Sequence, residues 1–452
     1  MIRIPCAVSV LTLLISSALC AQQAGPLRAG VAKVDITPPP DMFPIQQGMQ
    51  VLSGVHDPVH ARALVLDNGV TRVALIGVET ANLREAGARI VQAVAAELKV
   101  PANQLSIAAT HDHNTPTFGG GANGSDPARY LELMQRGVVE AARRASANLK
   151  PARIGFGTGT AYVNTNRDQK IGDSYKMGYA PERASDKTVA VLLVTDAAGQ
   201  PMAVWSNYAV HNVVMFTSKT RDGKSEITGD LGGWTSDYVE DRLKGATSVW
   251  TSGAAGDQNP LFMSLYNQDA PDVHDEGTAG WAILDVQARR LGEEVVRVAG
   301  SIRNTTDRAV LWGANTAVTC PGRIPDPSAA PAATVPGSFT PSAANARMID
   351  GGDPVQIPLG LIMINDIALA NVSGEVFTDI SQKLKRESLF DRTAMVTLSG
   401  GSIGYIPSES AYLLPSAMAA RNRIKPGCAE ARIVDAFLSL EKQYLPVWNR
   451  AH

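Results

Sequence analysis

Ala61-Arg62-Ala63-Leu64-Val65-Leu66, then Asp67-Asn68-Gly69, then Arg72-Val73-Ala74-Leu75-Ile76-Gly77-Val78: two apolar runs joined by an Asn-Gly turn. Asn and Gly tolerate the left-handed backbone of a tight hairpin, so the stretch predicts two antiparallel strands. The pattern recurs at residues 189–194 and 202–208, turned at Ala197-Ala198-Gly199, and at 359–364 and 367–372, turned at Asn365-Asp366. Between the pairs lie apolar stripes of helical period. Ile90, Val91, Val94 and Leu98 form one, and Leu131, Met134, Val138, Val139 and Ala142 form another within 130–149. Residues 234–243, 283–298 and 375–385 read as further helices, and 394–398 as a last short strand. The expected fold class is mixed α/β: layered, largely antiparallel sheets covered by helices, with any metal site at strand ends. An amidohydrolase-type barrel is the rival, but it needs eight alternating strand and helix units, and three hairpins argue against it.

Three other stretches carry expectations. Residues 29–37 read as an edge strand stopped by Pro38, Pro39 and Pro40. Residues 118–125 are glycine-rich and read as a mobile loop. Residues 320–348, rich in proline and alanine, are long for a loop and read as a lid, a rim or an insertion.

The chain has 452 residues, 45% hydrophobic and 19% charged, with a net charge of −2. This is a globular balance with ample core, and nothing in it favours nucleic acid or an anionic membrane surface. Arg3, an apolar run at 8–15 and small residues up to Ala21 read as a secretory signal over 1–21, placing the protein in the periplasm or outside the cell. Cys20 follows Leu19, which is too bulky for the usual lipid-attachment pattern. No later stretch reads as a transmembrane span, and peripheral membrane contact stays open. The remainder, 22–452, reads as one catalytic domain carrying the 320–348 loop. Signal removal leaves Cys320 and Cys428, either one disulfide or two buried thiols. Oligomeric state is not readable.

The chemistry concentrates after strands. His111-Asp112-His113-Asn114 follows the apolar run 105–110, and in an extended chain His111 and His113 face one side. They can bind a divalent metal together, or divide metal binding and substrate contact between them. His211 also follows a strand. Glu375 comes after the 367–372 strand at the start of a helix, and Tyr405 sits in a small-residue turn. Two imidazoles and a carboxylate suit Zn2+ with one position open. The bland alternatives are satisfied core histidines, a glutamate favouring a helix N-terminus and a core tyrosine.

Several short segments, in order, resemble the neutral, non-lysosomal ceramidase family of zinc amidohydrolases. They are Val34-Asp35-Ile36-Thr37-Pro38, His111-Asp112-His113-Asn114, Asn166-Arg167, Tyr208-Ala209-Val210-His211, Gly229-Asp230, Gly256-Asp257, Ser373-Gly374-Glu375 and Gly404-Tyr405-Ile406. The likeness runs roughly over 30–412. It implies zinc held by His111, His211, Glu375 and Tyr405. It also implies His113 beside the metal as an acid or oxyanion group, and Arg167 on the substrate or oxyanion.

Three departures qualify this. Asn259 stands where the family has a serine central to amide cleavage, and an amide is neither a nucleophile nor a base. The run after His111 differs from the family's. The family's immunoglobulin-like C-terminal module has no expected counterpart.

The implied activity is attack of zinc-bound water on the carbonyl of an N-acyl or ester small molecule other than ceramide, with Tyr405 among the oxyanion donors. Asp257 is the candidate base, its alternative being a turn-forming aspartate. A relative that has lost catalysis and binds a lipid, glycan or peptide is the rival of another class.

Overall fold

The structure, a computed structural model, describes residues 24–451 except 48–49, 85, 117–126, 173, 217–224, 265–277, 329–347, 415–416 and 421. The signal segment and the glycine-rich 118–125 lie outside the described residues.

The opening hairpin forms as read. Strands β1 (Arg28–Asp35), β2 (His60–Asp67) and β3 (Arg72–Val78) are antiparallel neighbours, and β2 and β3 pair without a register shift. The Asn68 side-chain oxygen accepts the N–H groups of Val70 and Thr71 at 3.0 and 2.7 Å, closing the turn. Helix α1 (Ala86–Leu98) then leads to β4 (Leu105–Ala109), which lies parallel to β3. After α2 (Pro127–Ala147) come β5 (Lys150–Thr160) and a projecting hairpin of β6 (Asn164–Ile171) and β7 (Ser174–Ala180). The second hairpin is β8 (Thr188–Asp196) with β9 (Pro201–Tyr208). Next are α3 (Asp230–Arg242), β10 (Thr247–Ser252), the short β11 (Gln258–Pro260) and α4 (Thr278–Ser301).

The third hairpin joins β13 (Met348–Ile364) to β14 (Ile367–Val372), with β12 (Leu311–Pro325) on the outer side of β13. Then follow the two-residue β15 (Glu375–Val376), α5 (Thr378–Glu387), β16 (Arg392–Val396), the two-residue β17 (Tyr405–Ile406) and α6 (Ala429–Ala451).

The eight-stranded sheet runs β10-β9-β8-β5-β1-β2-β3-β4 and bends sharply at its middle, where β5 and β1 share only two register pairs. Its halves fold over one core: Leu64, Leu66 and Leu75 from one, Leu192, Trp205 and Val249 from the other. The four-stranded sheet β12-β13-β14-β16 closes the third side with Ile362, Leu369 and Val396. The bend is tight. A Cβ on Gly77 of β3 would lie 2.3 Å from the Trp250 carbonyl oxygen of β10, so only glycine fits. Helices back every side. Helices α1 and α2 cover β1–β3, α3 and α4 cover β8–β10, and α5 and α6 cover the four-stranded sheet. Each fully buried Leu, Ile or Val contributes about 1.5–3 kcal/mol relative to exposure.

Several expectations need correction. β1 is not an edge strand. It lies between β5 and β2, and beyond Ala29 its second side is met by the end of α2 and by the residue that follows it, Asn148, whose side-chain amide donates to the Val31 carbonyl at 3.3 Å. The prolines mark where the strand ends, not its place in the sheet. Glu375 does not start a helix. It pairs with Tyr405 in a parallel two-strand ladder, and α5 begins at Thr378. The ends of the 320–348 stretch are strand, β12 running to Pro325 and β13 starting at Met348. Register shifts around Gly322 let β12 accommodate Pro321. Cys320 and Cys428 form a disulfide that ties β12 to the start of α6. Among the described residues no helix is long and apolar enough to cross a membrane.

Candidate active site

The bend of the large sheet brings the segments after β4 and β9 together, although those strands are far apart in the sheet order. The His113 N–H donates to the Asn212 carbonyl at 3.2 Å, and Asp112 and Asn212 form an isolated parallel bridge. His111 sits at φ +68, a strained left-handed conformation for a side-chain-bearing residue. That twist turns its imidazole towards His211, ring centroids 4.3 Å apart.

The tautomers of two imidazoles follow from their partners. His111 Nδ1 lies 2.7 Å from the Ala81 carbonyl oxygen, and His211 Nδ1 lies 2.9 Å from that of Gln258. A carbonyl only accepts, so both Nδ1 atoms carry a proton, and in the neutral imidazole it is Nε2 that holds the lone pair. Glu375 Oε2 stands 3.3 Å from His111 Nε2 and 3.5 Å from His211 Nε2. It is buried and accepts no hydrogen bond. His113 Nε2 is 3.4 Å from His111 Nε2, and ligand atoms of the three histidines lie within 4.8 Å of one another. Converging lone pairs with no proton between them are what a cation satisfies. The donor set, nitrogen with carboxylate oxygen, is one that zinc takes.

Electrostatics agree. Burial, then Arg167 and His111, pull the His211 pKa down to about 3, so it is neutral. Burial, then the two neighbouring imidazoles, hold His113 well below its ordinary value. Burial works to raise the Glu375 carboxyl; positive charge at the His111 and His211 end, proton or cation, outweighs it and holds the carboxyl well below its ordinary value. Burial pushes the Tyr405 hydroxyl up, so it stays protonated as a donor.

Arg167, on β6, is buried with its guanidinium carbon 5.2 Å from the Tyr405 ring centroid. Its Nη2 donates to the Gly256 carbonyl at 2.6 Å. Its Nη1 lies 3.3 Å from His211 Nε2 and 3.4 Å from Asn259 Oδ1. Arg167 and Glu375 are the charged groups that act on the Tyr405 hydroxyl. Asp257 is set back. Its Oδ1 accepts the Thr378 N–H at the start of α5 and its Oδ2 accepts the Asn166 amide, both at 2.9 Å. Burial raises its pKa to about 6. The helix-terminus role weighed for Glu375 thus belongs to Asp257.

The structure therefore gathers His111, His113, His211, Glu375, Tyr405, Arg167 and Asn259, with Asp257 behind them. Sequence reading missed the carbonyls of Ala81, Gln258 and Gly256, which orient two histidines and the arginine. Backbone acceptors carry no residue-type signal. It also missed Glu79, which lies two residues before Ala81, bonds the His60 N–H at 2.6 Å and pairs with buried Arg62.

An α/β protein with a buried histidine–carboxylate cluster at strand ends is the class that fold and site define. The chain belongs to the neutral/alkaline non-lysosomal ceramidase family, whose N-terminal domain matches residues 27–270. It is 27% identical over 284 residues to a neutral ceramidase of Drosophila pseudoobscura pseudoobscura, covering 57% of this chain and 39% of that protein. It is 28% identical over 260 residues to that of Pseudomonas aeruginosa, covering 52% and 37%. The chain thus spans well under half the length of these relatives in the match. A crystal structure of the Pseudomonas aeruginosa neutral ceramidase shares the fold, with a TM-score of 0.70 at 17% identity over 92% of this chain and 75% of that one. A ceramidase complexed with C2 gives 0.69, again at 17% identity, over 92% and 76%.

Proposed function

We propose that the chain is an exported zinc-dependent hydrolase that cleaves a linear N-acyl amide bond in a substrate other than ceramide. Residues 22–452 would act as one catalytic domain after removal of 1–21. One observation carries the metal reading: Nε2 of His111, Nε2 of His211 and the unpartnered Oε2 of Glu375 converge with both Nδ1 protons tied to backbone. These three groups, with Tyr405 beside them, would hold the ion. When bound, zinc supplies polarisation of a carbonyl and acidification of water. Family membership supports hydrolysis of an amide.

The protein's own groups divide the remaining work. Tyr405 and Arg167 donate to the oxygen that gains charge as the carbonyl is attacked. Neutral His113 takes or returns a proton at Nε2. Asn259 supplies no nucleophile, so water is the attacking group, and the replaced serine motivates a substrate other than ceramide. Asp257, both oxygens engaged, positions α5 and Asn166.

The test is a mass-spectrometric screen of the zinc-loaded protein against N-acyl amines, N-acyl amino acids, ceramides and esters. Hydrolysis of a compact N-acyl substrate with weak or absent ceramide cleavage is expected. Robust ceramide cleavage overturns the substrate half, and inertness throughout with zinc bound points to a binding protein.

A further inference from the structure

Resting on the zinc reading above, we propose that Asn259 is a positioning residue. It is the uncharged acceptor that keeps the Arg167 guanidinium in place once the histidine cluster holds a cation, leaving the charge of Arg167 for an anionic group on the ligand. Arg167 Nη1 has two acceptors, His211 Nε2 at 3.3 Å and Asn259 Oδ1 at 3.4 Å. The His211 lone pair points into the cluster because its Nδ1 proton is committed to the Gln258 carbonyl. A cation there takes that lone pair and repels the guanidinium. Of the two acceptors, only Asn259 then remains for Nη1, while Nη2 stays on the Gly256 carbonyl at 2.6 Å.

Asn259 suits the role. It is 5% exposed, its backbone pairs with Thr165 of β6, and its Nδ2 lies 3.6 Å from Met263 Sδ, which turns Oδ1 to the arginine. Arg167 and Asn259 thus sit on hydrogen-bonded strands, two residues apart in register. The residue type is constrained from both sides. A serine hydroxyl is one atom shorter and does not span a contact already at 3.4 Å. An aspartate would reach but would neutralise the guanidinium, since a charged pair satisfies both partners. Asparagine accepts without neutralising.

The probe is octanoate, a carboxylate with a short acyl chain, titrated calorimetrically into zinc-loaded and zinc-free protein. The variants are Asn259→Ala, Asn259→Ser, Asn259→Asp, Arg167→Gln and the Ala/Gln double. In zinc-loaded protein, Asn259→Ala should weaken octanoate about tenfold, the scale of one hydrogen bond to a charged group. Asn259→Ser should do the same. Asn259→Asp, which conserves shape, should weaken it at least as much. The double variant should bind no more weakly than Arg167→Gln alone, because Asn259 acts only through the arginine. In zinc-free protein the Asn259→Ala loss should shrink, since His211 then shares the load. Losses that multiply in the double variant, unchanged binding in Asn259→Ala, or tighter binding in Asn259→Asp each overturn the proposal. If Arg167→Gln itself leaves octanoate binding unchanged, the proposal is overturned together with the anion-facing role of Arg167, while the zinc reading is judged separately by metal content. Binding is read without turnover, so an inert enzyme still gives an answer.

Discussion

Asp257→Asn separates a catalytic base from a positioning residue and also tests the electrostatics of the site. The carboxylate is 5% exposed and its pKa rises from an ordinary 3.8 to about 6, burial being the largest cause. The shift corresponds to about 3 kcal/mol. The sign follows from proton counting. Between pH 4 and 6 the folded state holds a proton that the unfolded state has released, so stability falls as pH rises through that window and levels off above it. Buried Asp230, also raised to about 6, contributes in the same direction. The substituted amide would not titrate, so the variant should lose its own share of the decline while the shares of Asp230 and of Asp112, which burial also holds well above its ordinary value, persist. It keeps an acceptor for the Thr378 N–H and sets two amide donors against each other at Asn166, a cost of about 1–2 kcal/mol at all pH values. The assay is urea unfolding at half-unit steps from pH 4.5 to 7.5, with turnover measured on whatever substrate the screen yields. A positioning role predicts a fall in kcat of no more than about tenfold, whereas removal of a general base costs on the order of 10²–10⁴. A hundredfold loss with fold and zinc intact would make Asp257 the base, and an unchanged pH slope would refute the burial argument.

Elemental analysis should find one zinc per chain. His211→Ala should remove most of it, whereas His113→Ala should keep it and lower turnover by on the order of 10²–10⁴; zinc loss in the second variant would make His113 a ligand. Glu79→Gln removes one of the three carboxylates around buried Arg62, Asp237 and Glu240 remaining, and should cost less in urea unfolding than the about 3–5 kcal/mol of a fully unpaired buried charge. It should also weaken zinc, because the Ala81 carbonyl that orients His111 lies two residues on; an unaltered midpoint would refute this. Reducing the Cys320–Cys428 bridge, which spans a sequence separation of 108 residues, should cost about 4–5 kcal/mol on the chain-entropy scale, read as a shift in urea midpoint between reducing and non-reducing buffer.

Much of the fold was legible because hairpin turns and apolar periods are local. Asn68-Gly69 and Asn365-Asp366 specify their turns through neighbouring backbone, and the stripe at Ile90, Val94 and Leu98 specifies a buried face of α1. The bend between β5 and β1 was not legible. It depends on contacts such as Gly77 against Trp250, which no local pattern encodes. That bend brings His111 to His211, so convergence of the site was an expectation from strand ends and family likeness, not from spacing. Glu375 was read as a helix start because a carboxylate near an apolar stripe looks like one. The ladder it forms with Tyr405 needs a partner thirty residues away.

The three residues Gly256-Asp257-Gln258 explain how this site tolerates change at the next position. The Gly256 N–H donates to the Val376 carbonyl at 2.8 Å, and a Cβ there would lie 2.5 Å from the Glu375 carbonyl oxygen, so glycine lets this stretch press directly on β15. The Gly256 carbonyl anchors Arg167 Nη2, and that of Asp257 accepts the Arg167 N–H at 2.9 Å. The Asp257 carboxylate holds the start of α5, and the Gln258 carbonyl fixes the tautomer of His211. One tripeptide thus touches the strand bearing Glu375, the guanidinium and one imidazole, and nearly all of it acts through backbone. Side-chain identity at 259 adds one acceptor to a frame already built. The cluster of His111, His211 and Glu375 and the choice between serine and asparagine at 259 are therefore separable, which is why the proposed metal-holding groups can stay while the side chain beside Arg167 changes.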